Sequence, residues 1–217
     1  MDWNKYNYDQ IKIIKKIINT TKISSINYIH KSKYNHVRDV FSIAISLINY
    51  KPVILDFGGS LLSYFDLNSK ISKNVKYILY NPHLVDEIRN LNEVNNIEIL
   101  THINTLAIKK KKVNILYSNS VVQYLQELES IFLKKILTPN IKLIILTDVY
   151  VSYDKDFYIM QKNHNIKIKV RNINKIIKIF EKYRYNIIFK SVFKKEKVSK
   201  KYFKFKSYYL CNMIFKR

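Results

Sequence analysis

The sequence predicts an α/β fold: a mostly parallel, seven-stranded sheet with helices on both faces, closed by an antiparallel pair at the C-terminus. From residue 52 onward, short and nearly continuous apolar runs alternate with stretches of helical periodicity. That is the pattern of parallel strands buried on both faces. After residue 185, two long apolar runs follow one another with only a basic loop between them, so they pair antiparallel.

Two helices are expected first. Ile11, Ile14, Ile17 and Ile18 recur at helical spacing with Lys12, Lys15 and Lys16 opposite, and a second helix over about 36–49 carries Val37, Phe41, Ala44, Ile45 and Ile48. The polar stretch between them, with Thr20-Thr21 and Ser24-Ser25, reads as a loop. The strands follow at 52–56, 76–80, 97–100, 113–117 and 142–148. Val121, Leu125, Leu128, Phe132 and Ile136 predict a helix after the fourth strand, and Ile173, Ile176, Ile177, Phe180 and Tyr183 predict another before the final pair, 185–193 and 208–215. With no internal repeat or dividing linker, a single domain over 1–217 is expected, with 1–50 as a helical segment packed on its core.

Composition narrows the class. Hydrophobic residues make up 47% of the 217, enough for a full-sized core despite a net charge of +23. The single Cys211 excludes a disulfide within the chain and a cysteine zinc cluster, and fits a reducing compartment. No apolar stretch reaches about 18 residues and the N-terminus lacks the apolar core of a signal peptide, so a cytoplasmic protein without integral membrane association is expected. The charge has two readings. It favours an anionic partner such as nucleic acid. It also follows from a composition over-using Ile, Asn, Lys, Tyr and Phe, whose codons are rich in A and T, and the lysines are dispersed.

In an open parallel sheet, ligands bind beyond the carboxyl ends of the strands. The first strand ends in Asp56-Phe57-Gly58-Gly59-Ser60, which holds both glycines of the chain. A tight turn that must admit a ligand close to its backbone needs glycine there. The fourth strand ends in Tyr117-Ser118-Asn119-Ser120, where Ser120 and Gln123 have capping-box spacing, and Asn119 and Tyr124 face the same end of the sheet. Asp148 ends the fifth strand, as a base, an acceptor for a substrate hydroxyl, or the cap of the next turn. His83 and His102 follow the second and third strands. No metal-ligand spacing is present, so no metal site is predicted. Tyr202, Phe203 and Phe205 among Lys201, Lys204 and Lys206 suit base stacking or plain packing equally.

Val53-Ile54-Leu55-Asp56-Phe57-Gly58-Gly59-Ser60 resembles motif I of class I S-adenosylmethionine-dependent methyltransferases, which have a Rossmann-like fold. Ser120-Val121-Val122-Gln123-Tyr124-Leu125, Leu146-Thr147-Asp148-Val149, Phe157-Tyr158-Ile159-Met160-Gln161 and Tyr183-Arg184-Tyr185 extend the likeness. They are similar to segments of a methyltransferase family associated with bacterial surface-polysaccharide gene clusters. The resemblance implies S-adenosylmethionine as cofactor. Its methionine portion would lie in the Gly58-Gly59-Ser60 turn with Asp56 near its amino group, and Ser118 and Asn119 would line the adenine or methyl-transfer side. Asn81 stands where the family keeps a carboxylate for the ribose, and Leu62 where it keeps a further glycine. The implied activity is methyl transfer to a small-molecule or carbohydrate-linked acceptor, with Asp148 or His83 as base if the acceptor is a hydroxyl. Nucleic-acid methylation and a non-catalytic binding module are the alternatives.

Overall fold

Residues 35–60, 64, 75–81, 97–100, 102, 105–128, 133–161, 166–197 and 207–217 are described by a computed structural model. Five strands run parallel: β1 (Val53–Phe57), β2 (Lys76–Tyr80), β3 (Ile97–Leu100), β4 (Ile115–Asn119) and β5 (Leu143–Ser152), in the lateral order β3-β2-β1-β4-β5. Their residues are apolar in immediate succession because both faces are covered. Ile54, Tyr77, Ile115 and Ile145 join Val40, Phe41 and Ala44 of helix α1 (Asn35–Ser46) on one face. Leu55, Ile78, Leu116 and Ile144 pack on the other with Ile136 and with Ile173, Ile176 and Phe180. A further helix, α2 (Thr105–Lys110), leads towards β4.

The short helix α3 (Lys134–Ile136) and helix α4 (Ile173–Lys182) belong to that second face, with α4 capped by the Asn172 side chain accepting from the Lys175 N–H. On the outer side of β5, β9 (Ser207–Lys216) runs antiparallel, and β8 (Asn186–Lys197) runs antiparallel to β9. The predicted C-terminal pair is therefore present, and β8 is parallel to β5. At the opposite margin Glu98 of β3 meets Lys111 and, at 3.5 Å, Lys76. Burial pushes its carboxyl up, but the two ammoniums outweigh burial and hold it below the usual carboxylate range. No helix among the described residues is long and apolar enough to cross a membrane.

Two segments differ from expectation. Asp148 does not end the fifth strand: β5 continues to Ser152, passing Asp148 at φ 53° where the register against β9 shifts between Leu146 and Val149. Pairing with β4 stops at Thr147, and the vacated flank of β5 is taken by β7 (Ile166–Asn172), with Val151 beside Arg171 and Ser152 beside Asn172. β7 and β6 (Phe157–Gln161) form an antiparallel hairpin, so the sheet has nine strands among the described residues rather than seven. The first part of the predicted helix from Val121 is also replaced, while its end is helical at Lys134–Ile136. Val122–Tyr124 form a 3₁₀ turn, after which Leu125 is extended with ψ 125°.

Tertiary contact explains the second difference. The Arg171 guanidinium donates to the carbonyls of Leu125 and Gln126, which a continuous helix would have used internally. The Tyr124 hydroxyl donates to Gln161 Oε1 at 2.9 Å, tying the same segment to β6. Of the apolar stripe, Leu128 and Ile136 are buried and Val121 and Leu125 partly so, while Phe132 lies outside the described residues. Arg171→Leu leaves those carbonyls without their donor and should lower stability by about 1–3 kcal/mol in urea unfolding; a change within error would place the ordering of this segment elsewhere.

Candidate functional site

The carboxyl end of β1 is built around two glycines with different jobs. Gly58 has φ 75°, a conformation that disfavours any side chain, and a Cβ there would lie 2.7 Å from Val121 Cγ2. Its N–H donates to the Tyr80 carbonyl at 2.8 Å, locking the turn to the end of β2. A Cβ on Gly59 would overlap the Asp56 carboxylate itself. Glycine is required there because the chain folds back over its own acid.

Asp56 is 0% exposed. Its Oδ2 accepts from the Tyr77 hydroxyl at 2.6 Å, and its Oδ1 meets no hydrogen-bond partner. Burial pushes the carboxyl from an ordinary 3.8 up to about 7, with the Tyr77 hydrogen bond pulling the other way. Tyr77 is itself held well above its usual range, first by burial and then by the neighbouring charge of Asp56. The pair links β1 to β2 beneath the turn.

The remaining predicted residues fall into two groups. Asn81 lies beside the turn: its side-chain amide donates to the Gly59 carbonyl at 2.9 Å and its N–H to Leu100 O at 3.2 Å. The Ser60 carbonyl accepts from the Tyr64 N–H at 3.2 Å, and the buried Ser118 hydroxyl donates to Phe57 O at 3.2 Å. Asp56, Gly58, Gly59, Ser60, Asn81 and Ser118 thus gather at the ends of β1, β2 and β4. Asn119 and Asp148 belong to the β4–β5 side, where Asn119 Oδ1 accepts from the Thr147 hydroxyl at 3.0 Å and the Asp148 N–H donates to Asn212 Oδ1 at 3.0 Å.

Asp148 is 7% exposed and occupies a bulge, not a turn cap. His83, Leu62 and the 202–206 stretch lie outside the described residues, as does the helix expected at Ile11–Ile18. The expected capping box takes another form: Ser120 has φ 55° and Gln123 Nε2 donates to its carbonyl at 2.7 Å, with no side-chain cap. Sequence reasoning missed Tyr77, whose role depends on contact across strands. It also missed the β6–β7 hairpin, although Ile166-Lys167-Ile168-Lys169-Val170 alternates at strand spacing. Among the described residues no three His, Cys, Asp or Glu side chains gather as metal ligands.

No family model matches the chain, and no curated protein matches it in sequence. Solved structures do match in fold. The 1,6-didemethyltoxoflavin-N1-methyltransferase of Burkholderia thailandensis, solved with 1,6-didemethyltoxoflavin and S-adenosylhomocysteine, superposes with TM-score 0.55 at 8% identity, over 97% of this chain and 89% of that one. The chain has the class I methyltransferase fold. Two further structures share this methyltransferase fold. The O-methyltransferase from a trans-AT PKS multienzyme of Brevibacillus brevis, in complex with S-adenosylhomocysteine, has TM-score 0.53 and 9% identity over 82% of this chain and 71% of that one. The glycopeptide N-methyltransferase MtfA, complexed with S-adenosylmethionine, has TM-score 0.51 and 9% identity over 81% and 92%.

Two measurements check the turn. Asp56 has its folded pKa raised, so its neutral form is favoured by folding: its contribution to stability is full below about pH 4, is lost as pH rises to about 7, and is level above. Asp56→Asn should remove that loss, so its stability relative to the parent rises by about 4 kcal/mol between pH 4 and pH 8 in urea unfolding. A constant difference would mean that Asp56 titrates normally. Gly59→Ala forces the carboxylate aside and should cost about 1–3 kcal/mol at pH 7; an unchanged midpoint would show that the turn has room to spare.

Proposed function

We propose that the chain transfers the methyl group of S-adenosylmethionine to a small-molecule or carbohydrate-linked acceptor. The observation that supports this most is the turn after β1. It stands where the strand order reverses between β1 and β4, the usual ligand crevice of an open α/β sheet. Its two glycines carry no side chain where Val121 and the Asp56 carboxylate press close, and that acid has an Oδ1 with no partner. These residues suit a ligand bearing an ammonium group.

In this reading Gly58, Gly59 and Ser60 admit the methionine portion close to the backbone, and Asp56 provides negative charge near its amino group. Ser118 and Asn119 line the adenine or methyl-transfer side, and Asn81 stands at the ribose end. S-adenosylmethionine, when bound, supplies an electrophilic methyl on a sulfonium that is already a good leaving group. The chain's own task is then alignment of the acceptor with that methyl. For a hydroxyl acceptor, Asp148 takes the proton from its place on the β5 bulge, where Asn212 fixes its backbone. His83, after β2, is the other candidate for that role.

One observation favours a second reading, a non-catalytic binding module. The amide of Asn81 is committed to the Gly59 carbonyl, and an amide there offers less to ribose hydroxyls than a carboxylate. Titration calorimetry separates the two readings. Both S-adenosylmethionine and S-adenosylhomocysteine should bind, and Asp56→Asn and Gly59→Ala should each weaken binding by at least about tenfold, or 1.4 kcal/mol. No binding of either at millimolar ligand leaves the non-catalytic reading, and undiminished binding by both variants moves the site away from this turn.

A further inference from the structure

Beyond the end of β4 lies a second concavity of about 240 Å³, walled by Gln123, Tyr124, Leu125 and Gln126 on one side and by Tyr158, Lys167 and Lys169 of the β6–β7 hairpin on the other. Its wall residue Gln123 follows two residues after Val121, whose side chain stands against Gly58 of the candidate cofactor turn. Both walls are held in place. Tyr124 is bonded to Gln161, and Arg171, itself buried, holds the carbonyls of Leu125 and Gln126.

The chemistry of the lining is specific in kind. Lys167 Nζ stands 4.7 Å and Lys169 Nζ 5.8 Å from the centre of the Tyr158 ring, which brings two ammoniums to one side of the cavity. Lys169 also meets Asp156 Oδ2 at 3.5 Å, but that carboxylate is shared with Lys175 and the Asn172 N–H. Among the described residues Lys167 has no carboxylate within ion-pair distance. Opposite them Gln123 is 2% exposed; its Nε2 is used by Ser120, while its Oε1 is buried with no partner. A buried amide oxygen left so is costly unless something donates to it. The cavity thus offers positive charge on one wall, and its other wall includes Gln123, whose buried Oε1 lacks a donor.

We infer that this cavity binds a small, hydroxylated anion, with its carboxylate or phosphate on Lys167 and Lys169 and a hydroxyl donating to Gln123 Oε1. Its place beside the Gly58 turn makes that molecule the methyl acceptor, a step that rests on the function proposed above. The charge on the acceptor then selects it, since a neutral sugar leaves Lys167 without a counterion and Lys169 with only its share of Asp156.

Calorimetry on the full chain with glucuronate, glucose 1-phosphate and neutral glucose tests this. At least one of the two anions should bind, and which one does distinguishes carboxylate from phosphate recognition. Glucose should not bind. Lys167→Glu should weaken the anion by at least about tenfold, Gln123→Leu by several-fold with the melting temperature checked, and raising salt from about 50 to 300 mM should weaken it several-fold as well. Failure of both anions at millimolar concentration overturns the inference, as does equal binding of glucose or undiminished binding by Lys167→Glu. S-adenosylmethionine binding is measured on the same samples and should differ by less than about twofold in Lys167→Glu. An anion that binds to a chain without cofactor affinity leaves this cavity standing and removes the methyl-transfer reading; cofactor affinity without anion binding does the reverse.

Discussion

A carboxylate shut away from water sits where β1 gives way to its turn, and the surrounding geometry answers to it. Asp56 is bonded to Tyr77 on the neighbouring strand, covered by the bare Cα of Gly59, and left with one oxygen unpartnered. A buried acid in such a place is expensive as an anion, which is why its proton is held until about pH 7. The same contact explains why Gly59 tolerates no side chain, while Gly58, one residue earlier, lies in the left-handed region against Val121. A ligand cation arriving above the turn would find an acid ready to ionise. The cost of burying the charge would then be offset by the partner that the free protein lacks.

The β4–β5 side is organised by a different constraint. β5 is longer than its parallel neighbour, and its surplus edge must be paired or protected. The β6–β7 hairpin pairs it, and Arg171 and Gln161 reach from that hairpin to hold the chain that follows β4. The outcome is a wall facing the end of the sheet, with Lys167 and Lys169 on it, where the motif turn alone would have left an open edge. The bulge at Asp148 sits at the junction between these two halves of β5.

Much of the fold was readable in the residues. The runs Val53-Ile54-Leu55, Tyr77-Ile78-Leu79 and Leu143-Ile144-Ile145-Leu146 are apolar in succession, as parallel strands covered on both faces require. The turn was readable because a chain with two glycines puts both of them together after the first strand. The protonation of Asp56 was not, since its surroundings include a tyrosine 21 residues away on the neighbouring strand. The hairpin escaped notice because Lys167 and Lys169 were lost among 39 basic residues, so their alternation with Ile166, Ile168 and Val170 looked like surplus charge. The start of the helix expected after β4 is lost for a related reason: an arginine 46 residues along the chain takes the Leu125 carbonyl that its periodicity would have used.

The state of Asp56 is the most direct gauge of the whole account, because it reports the turn and the ligand together. Carbon-13 NMR titration of its carboxyl, in the free protein and with saturating S-adenosylmethionine, measures it. The midpoint in the free protein should lie near 7. It should drop markedly once the ligand's ammonium lies near. A midpoint in the ordinary range near 4 in the free protein, or a raised one that saturating ligand leaves unmoved, would contradict the account.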